Sequence, residues 1–385
     1  MKLNLDKNAV KIIELLQNSG YLAYAVGGCV RDGIMGKTTT DYDITTSAKP
    51  DEIKSVLNNY KTIDTGILHG TVTVIIENQS FEITTFRSED SYSDSRHPDK
   101  VQFISELNKD LSRRDFTINA IAYNSKEGIK DPYDGITDIK NKVIRTVGNP
   151  KKRFEEDALR ILRALRFSAT LGFDIESETA KAINDLAQTV NKVSAERIYT
   201  EIKKILCGDY ADAVVNQFKN ALSKIIPICN YVNQISALPK DFPMRLTYLC
   251  GENVLSVLNN LRADNHTKRH CELLVNSTPI PEAETEIKFY VSNLGREAAN
   301  YVIDYRKIVF GEDKSNRANI IMSTCKCLSV AELNINGDDI KTFGINGKSI
   351  AKVQKMLLER VIKGEIINQR EVLLEQLKSL DNSML

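Results

Sequence analysis

The sequence predicts an α+β domain with a small mixed sheet, followed by an elongated region built of helices alone. Through roughly residue 145, helical segments alternate with short apolar runs whose side chains alternate as they do in strands. From about Pro150 onward, apolar residues recur at positions i, i+3, i+4 and i+7, and no segment strongly predicts a strand. The change of period predicts the boundary between the two regions.

In the first region, a helix is predicted from Lys7 to Asn18, where the apolar residues follow a helical period. It leads into an apolar strand, YLAYAVGG, which ends in Gly27 and Gly28. A second helix is predicted from about Asp51 to Asn58.

Two further strands are predicted in TVTVIIENQSFEITTFR, joined by a polar turn at residues 78–80. Side chains alternate between the faces of a strand, so Phe81 and Ile83 share one face and Glu82 lies on the other. Glu82 is therefore a candidate third carboxylate beside the aspartates described below, although an exposed strand face explains it equally well. The polar segment at 88–100 is predicted to be a loop.

The composition is that of an ordinary globular protein, with 42% hydrophobic and 27% charged residues in a chain of 385. No run approaches the ~20 apolar residues that a membrane helix needs. The seven cysteines are scattered without CxxC spacing, so we expect reduced thiols in a cytoplasmic protein. The net charge is only +1, so any nucleic-acid surface must be local. Segments 145–166 and 341–373 each carry +4, with a solvated helix face as the alternative explanation.

The segment VGGCVRDGIMGKTTTDYDIT, residues 26–45, combines glycines, an arginine and two aspartates. In a strand, Asp41 and Asp43 would point to the same face. Two carboxylates this close repel each other unless a cation lies between them, and hard oxygen ligands favour Mg²⁺. They are therefore candidate catalytic residues and metal ligands, with a solvated strand edge or a turn as the alternative.

The preceding glycines favour a phosphate site. Gly27 and Gly28 would let backbone N–H groups approach a triphosphate, and Arg31 would add a charge-assisted hydrogen bond. Neither a Walker A loop nor a GxGxxG fingerprint is present. A simple turn would explain the glycines, but not the arginine and both aspartates as well.

Four motifs follow one another along the chain: GGCVRD with DYD, DLSRRDFTINAIAYN, DPYDG and RFEEDALRILRALRFSATLGF. Together they resemble the motifs of the class II nucleotidyltransferases in the DNA polymerase β superfamily, which include tRNA CCA-adding enzymes and bacterial poly(A) polymerases. The resemblance implies an α+β nucleotidyltransferase head followed by an elongated all-α neck, body and tail. We place these four parts at residues 1–145, 146–225, 226–310 and 311–385.

In the second motif, Arg114 can reach a triphosphate or a ribose. Asp115 and Asn119 are four residues apart, so they would share one face of a helix and could hydrogen-bond ribose hydroxyls. The alternative is a helix start capped by Ser112 with its apolar neighbours in the core. The two interpretations are compatible, because a residue that contacts substrate must itself be held in place by the surrounding structure.

In the fourth motif, charged residues recur every three positions and predict a winding stripe along one helix that faces a cleft: Asp157, Arg160, Arg163 and Arg166. The resemblance implies that Asp157 and Arg160 hydrogen-bond the Watson–Crick edges of cytosine or adenine in place of a template. Arg163 and Arg166 would bind phosphate or hold that face in place. A plain surface helix, the alternative, normally contains more lysine and glutamate.

A second pair of possible metal ligands lies in the helical region. His266 and His270 are four residues apart, which is a spacing of metal ligands on a helix. No glutamate follows the first histidine and the sequence offers no evident third ligand. A solvated helix is therefore the favoured interpretation.

The resemblance implies a function: template-independent addition and repair of the 3′-terminal CCA of tRNA from CTP and ATP, by Mg²⁺-dependent attack of the RNA 3′-hydroxyl on the α-phosphate. Residues 333–377 resemble the tail module of many CCA-adding enzymes. This resemblance implies a surface that binds the body of tRNA through its phosphates. A poly(A) polymerase and a CC-only or A-only enzyme are the alternatives within the class. A non-catalytic RNA-binding module is a further alternative, which the intact Asp41, Asp43 and Arg114 disfavour.

Overall fold

The computed structural model describes residues 2–90, 100–229, 232–312 and 314–379. The chain forms two compact units, residues 1–236 with 256–263 and residues 237–255 with 264–385. The described strands all lie in the first unit. Most of the loop predicted at 88–100 lies outside the described residues, and the division into head, neck, body and tail stays a prediction.

The first unit contains eleven described strands, most of them short. They are β1 (Ala23–Val26), β2 (Asp43–Thr46), β3 (Lys61–Gly66), β4 (Thr71–Ile76), β5 (Gln79–Thr85), β6 (Arg87–Asp90), β7 (Lys100–Phe103), β8 (Ala122–Asn124), β9 (Gly128–Lys130), β10 (Val143–Ile144) and β11 (Asp174–Ile175).

Seven of these strands form one mixed sheet in the order β3-β4-β5-β2-β1-β8-β9. The pair β2 and β5 is parallel, and the other neighbours are antiparallel. Strand β2 is central, so both of its edges are hydrogen-bonded and its first residue is held in a fixed register. The sheet therefore confirms the predicted mixed α+β head and gives the residues around Asp43 a rigid support.

The hairpin of β4 and β5 differs slightly from the sequence prediction. The turn residues are Glu77 and Asn78, with φ values of 50° and 63°, and β5 already begins at Gln79. Two consecutive residues with positive φ are typical of the two-residue type I′ hairpin, whose twist matches that of the strands. The predicted turn at 78–80 was thus placed slightly too far along the chain. Phe81 and Ile83 are fully buried while Glu82 is exposed, as the alternation predicts.

Twenty helices are described along the chain. They are α1 (Lys7–Asn18), α2 (Gly28–Ile34), α3 (Pro50–Val56), α4 (Leu107–Ser112), α5 (Gly135–Asn141), α6 (Pro150–Glu156), α7 (Leu159–Leu171), α8 (Ser177–Leu186), α9 (Ala195–Leu206), α10 (Ala211–Gln217), α11 (Lys219–Leu222), α12 (Phe242–Cys250), α13 (Val254–Asn260), α14 (Asn265–Val275), α15 (Glu284–Leu294), α16 (Arg296–Phe310), α17 (Ser315–Thr324), α18 (Gly337–Lys341), α19 (Lys348–Lys363) and α20 (Arg370–Lys378).

The helix predicted at Lys7–Asn18 has the predicted bounds, because the carboxylate of Asp6 accepts hydrogen bonds from the first free backbone N–H groups. The helical stretch predicted after Pro150 is confirmed in type but is interrupted. Helix α6 ends at Glu156, and α7 begins only at Leu159. A further correction is β11, a two-residue strand that pairs in parallel with β10 inside the region expected to be wholly helical.

All the regular secondary structure described in the second unit is helical, as predicted. One of its cores gathers buried residues such as Ile340, Leu357 and Leu373 around the long helix α19. That helix ends where Gly364 takes a left-handed conformation, a common way to end a helix. Among the described residues, no helix has the length and apolar character needed to cross a membrane.

Candidate active site

The site begins where β1 ends. Val26 pairs with Asp43 across the two central strands, and Gly27 follows with φ 77° and ψ −131° as the N-cap of α2. A Cβ atom at Gly27 would lie 3.3 Å from Nη1 of Arg114 and 3.7 Å from Oδ2 of Asp43. Glycine is therefore required here for two reasons, since the backbone conformation is one that L-residues rarely adopt and the neighbouring functional side chains approach closely.

We expect Gly27→Ala to lower kcat/KM for the nucleotide at least about tenfold, because a displaced Arg114 or Asp43 would no longer meet the substrate in the right geometry. Backbone strain should also cost roughly 1–3 kcal/mol of stability. Steady-state kinetics and a thermal melt measure the two effects separately.

Gly128→Ala is the matched control for this variant. Gly128 has the same φ of 77°, but nothing lies within 4 Å of the position its Cβ would take. It should lose stability and keep its kcat/KM. An equal loss of kcat/KM in both variants would show that backbone strain, rather than contact with Arg114 and Asp43, explains the lower activity of Gly27→Ala.

Asp43 lies at the start of β2, directly between two neighbouring strands. Its Cα pairs with Val26 on one side and with Glu82 on the other. The surrounding protein displaces water from the Asp43 carboxyl and raises its pKa, and the charges of Asp41 and Glu82 raise it further, against the opposite effect of Arg114. Negative charge is therefore concentrated at this point of the sheet.

Asp41 differs from the prediction in one respect. It precedes β2 in an irregular segment rather than in the strand, and it is exposed. Its backbone N–H lies 3.2 Å from the Thr39 hydroxyl oxygen, which it can use as an acceptor. The two aspartates are neighbours electrostatically, but strand alternation is not what brings them together.

Arg114 is held by a buried carboxylate that the motif analysis missed. Asp110 is fully buried, its Oδ1 accepts from Nη2 of Arg113 at 2.8 Å, and Nη2 of Arg114 lies 3.5 Å from its Oδ2. Burial alone would raise the pKa of Asp110, but Arg113 and Arg114 hold it below the ordinary value. The Nε atom of Arg114 is buried and has no hydrogen-bond partner among the described residues. Nη1 of Arg114, by contrast, lies beside Gly27, 3.3 Å from the position that a Cβ there would take.

The second motif does not form the continuous helix that was predicted. Ser112 is the last residue of α4 rather than an N-cap, and Asp115 lies in the link before a 3₁₀ turn at Thr117–Asn119. Asp115 and Asn119 nevertheless meet, because Nδ2 of Asn119 donates to Oδ1 of Asp115 at 3.2 Å. The contact arises from the tight turn rather than from a shared helix face.

A chain of hydrogen bonds runs through this pair. Nη1 of Arg31 donates to Oδ1 of Asn119 at 2.9 Å, and Nε of Arg163 donates to Oδ2 of Asp115 at 2.7 Å. Burial alone would raise the pKa of Asp115, but the guanidinium of Arg163 overrides this and lowers it to about 2. The glycine turn of the sheet is thereby connected to helix α7.

Helix α7 supplies three of the four charged residues predicted as one stripe. The guanidinium groups of Arg163 and Arg166 lie 5.5 Å and 4.3 Å from the centre of the Phe167 ring, and that of Arg31 lies 5.2 Å from it.

Arg160 donates from Nη1 to Oε2 of Glu156 at 2.6 Å and from Nη2 to the Arg113 carbonyl at 3.1 Å. These contacts place the arginines beside the second motif.

The fourth member, Asp157, does not lie on α7. It ends α6 in an extended conformation, and its Oδ1 accepts from the backbone N–H of Leu159 at 3.0 Å. The residue therefore starts the next helix instead of continuing the previous one. Its Oδ2 accepts from Nη2 of Arg197 on α9 at 2.9 Å. Arg197 was not predicted, because its partner is 40 residues away in the sequence.

The histidine pair in the second unit has no sign of a metal site. The His266 and His270 rings lie 4.1 Å apart, and Nδ1 of His270 lies 2.9 Å from the His266 carbonyl oxygen. In the part of the chain that the structure describes, no three or more His, Cys, Asp or Glu side chains are grouped so that they could hold a metal ion.

A mixed sheet whose central strand begins with one aspartate and is preceded by a second, beside a glycine turn and an arginine-rich helix, is typical of a nucleotidyltransferase. Residues 23–145 match the family model described as "Poly A polymerase head domain", and residues 172–221 match "Probable RNA and SrmB- binding site of polymerase A". The "CCA-adding enzyme" of Ligilactobacillus salivarius is 36% identical over 97% of this chain and 96% of that protein. The chain belongs to the family of CCA-adding enzymes.

Other relatives agree with this assignment. The "CCA-adding enzyme" of Staphylococcus saprophyticus is 36% identical over 98% of this chain and 99% of that protein. The solved Bacillus stearothermophilus CCA-adding enzyme in complex with CTP superimposes with a TM-score of 0.80 at 30% identity, covering 96% of both chains. The Thermotoga maritima CCA-adding enzyme complexed with tRNA shares the fold, with a TM-score of 0.71 at 19% identity over 99% of this chain and 100% of that one.

Proposed function

We propose that this chain adds and repairs the 3′-terminal CCA of tRNA, using CTP and ATP without a template. One observation carries the proposal. The hydrogen bonds from Arg31 through Asn119 and Asp115 to Arg163 connect the triphosphate side of the site to the helix that would select the base. A single nucleotide can therefore contact both parts at once.

In this mechanism, the tRNA 3′-hydroxyl attacks the α-phosphate of the bound nucleotide and pyrophosphate leaves. Gly27 and Gly28 allow the backbone to approach the triphosphate, and Arg114 would donate to the triphosphate or ribose from Nη1, the nitrogen beside Gly27. Arg31 has hydrogen bonds to Asp32 and Asn119, and each of its terminal nitrogens retains a further hydrogen for a phosphate oxygen. Positioning and electrostatics, rather than covalent catalysis, carry the reaction.

Asp41 and Asp43 would hold the Mg²⁺ ions. The two carboxylates fit that role, because the negative charges of Asp41 and Glu82 are concentrated beside Asp43, where a cation would be attracted. Mg²⁺ commonly uses one or two carboxylates together with substrate phosphates, so a closed cage of protein ligands is not required. When bound, the ions would activate the attacking hydroxyl and neutralise charge on the departing pyrophosphate. Glu82, on the neighbouring strand, adds negative charge beside Asp43, but the three carboxylates are not grouped as one set of metal ligands in the described structure.

Base selection is assigned to Asp157 and Arg160. The Asp157 carboxylate would accept from the exocyclic amine of cytosine or adenine, and Arg160 would donate to the adjacent ring nitrogen or carbonyl. Three of the five N–H groups of Arg160 have protein acceptors, and two remain for a base. Asp115 and Asn119 would contact ribose hydroxyls, while Arg163 and Arg166 support that face or bind phosphate. We further propose a cytoplasmic setting, because the seven cysteines are outside disulfides.

The proposal is tested with three tRNA transcripts, ending before CCA, after the first cytidine and after the second. Labelled CTP or ATP is supplied with each in Mg²⁺-containing buffer, and the products are sized on a gel. We expect two cytidines and then one adenosine, and no further addition to a complete CCA end. Long tracts of adenosine would instead support a poly(A) polymerase, and addition of only one of the two bases would support a CC-only or A-only enzyme. No incorporation would favour the binding module.

A further inference from the structure

Helix α9 contacts the base-selecting region through two charged residues one turn apart. Arg197 donates to Asp157 at 2.9 Å, before the start of α7. Oε1 of Glu201 accepts from Nη1 of Arg166, in the middle of that helix, at 3.3 Å. The two ion pairs join α9 to the residue that precedes α7 and to the middle of α7. Because Asp157 is outside the regular turns of α7, its side chain depends on these neighbours for its orientation.

The carboxylate of Asp157 is held from two directions. Oδ1 accepts from the Leu159 backbone N–H at 3.0 Å, and Oδ2 accepts from Arg197 at 2.9 Å. The Asp157 side chain is only 15% exposed. Each carboxylate oxygen has two lone pairs, so a second acceptor position remains on both atoms. The first bond comes from the chain's own helix start, whereas the second comes from another element and fixes the rotation of the carboxylate plane.

Arg197 is not arranged for stability alone. Its Nη1 atom is buried and has no acceptor among the described residues. A buried donor without a partner is unfavourable for folding, so such groups call for an explanation beyond stability. A shorter or apolar side chain would avoid this cost, but it could not reach Asp157 with a directed hydrogen bond.

We propose that Arg197 is a positioning residue for base selection, which holds the Asp157 carboxylate in the orientation that accepts from an amino group. Cytosine and adenine present an amino group beside an unprotonated ring nitrogen, whereas uracil and guanine present a carbonyl oxygen beside an N–H. A fixed carboxylate oxygen attracts the amino group and repels the carbonyl oxygen. A carboxylate that can rotate away loses most of that repulsion. The inference rests on the role proposed above for Asp157.

The test measures discrimination between CTP and UTP on a tRNA that ends before CCA. Arg197→Met has nearly the same length but no donor, and we expect it to lower the ratio of kcat/KM for CTP over UTP at least about tenfold. ATP over GTP on a tRNA ending in CC should show the same trend. The affinity for tRNA, measured by filter binding, should stay unchanged. Arg197→Leu, which also lacks a donor, carries the same comparison if the methionine variant does not fold.

The matched control is Glu196→Gln on the same helix. Glu196 forms an ion pair with Arg262 at 2.9 Å, so this variant also removes one ion pair from α9. Its CTP over UTP ratio should equal that of the unmodified protein. A similar loss of discrimination in the control would overturn the inference, because it would show that any weakening of α9 has this effect.

A double-mutant cycle separates the inference from the function on which it rests. If Arg197 acts through Asp157, then Arg197→Met should cause no further loss of discrimination in a chain that already carries Asp157→Asn. Full discrimination in Asp157→Asn alone would refute the role of Asp157 itself. If Asp157→Asn alone lowers discrimination and Arg197→Met lowers it further by the same factor as in the unmodified chain, only the role of Arg197 is refuted.

Discussion

Asp43→Asn is expected to lower kcat for nucleotide transfer at least about 10³-fold, which is about 4 kcal/mol of lost transition-state stabilisation. Asparagine keeps the shape of the side chain but removes its charge and one of its two acceptor oxygens. Asp43 is held in register between Val26 and Glu82 at the centre of the sheet, so strand pairing on both sides fixes the backbone that carries its carboxylate. Because the charge serves the metal and the reacting phosphate, we expect tRNA binding to change little.

The measurement is single-turnover addition of CTP at saturating nucleotide, together with the tRNA dissociation constant. Asp64→Asn is the control, because Asp64 is a carboxylate of the same sheet that forms an ion pair with Lys54 at 2.7 Å, on edge strand β3. It should transfer at the unmodified rate. A residual rate of more than a tenth in Asp43→Asn, with Mg²⁺ present, would contradict the assignment of Asp43 as a metal ligand.

The sequence predicted the elements of the site better than their spatial relations. Periodicity and alternation are local patterns, so they predicted α1, the β4–β5 hairpin and the helical character of the second region. The parallel pairing that sets Glu82 opposite Asp43 joins strands that are far apart in the sequence. No local pattern specifies such a pairing. The sequence therefore left two interpretations of Glu82 open, a third carboxylate of the site or a residue on an exposed strand face.

The break at Asp157 shows a second limit of local patterns. The spacing of the charged residues fits one continuous helix, but the Asp157 side chain competes for the backbone by accepting from Leu159 N–H. Aspartate is favoured at helix starts for this reason, so the signal was present and was outweighed by the regular spacing. Asp110 could also have been found, because it precedes Arg113 and Arg114 by three and four residues, a spacing that brings side chains together on a helix. Arg197 could not, since only the packing of α9 on α7 reveals its partner.

The second large expected effect is a loss of folding stability when the ion pair of Asp115 with Arg163 is broken. The loss should depend on which of the two residues is replaced. The Arg163 side chain is 33% exposed, whereas that of Asp115 is only 9% exposed. Arg163→Met leaves a buried carboxylate without its partner, which costs about 3–5 kcal/mol. Asp115→Asn leaves a guanidinium that water can reach, and the new side chain can still accept from the Phe116 backbone N–H. We therefore expect the loss in Arg163→Met to be the larger, with a fall in melting temperature of roughly 10 °C.

Calorimetry at pH 7 measures both variants, and the double variant Asp115→Asn with Arg163→Met is the control. It removes both charges, so its melting temperature should lie above that of Arg163→Met alone. If Asp115→Asn is the less stable single variant, then the cost of leaving a buried carboxylate unpaired is not the main reason why breaking the pair destabilises the protein.

Acid gives an independent check of the same pair. The pKa of Asp115 is lowered to about 2 in the folded chain, against about 3.9 for an unperturbed aspartate. A depressed pKa stabilises the folded state above the unfolded value, and this contribution is lost as the pH falls from about 4 toward 2. In Arg163→Met the main cause of the depression is gone, while burial still favours the neutral acid. The difference in melting temperature between the unmodified protein and Arg163→Met should therefore shrink as the pH is lowered from 5 to 3, and a constant difference would show that the Asp115 charge does not carry the stabilisation.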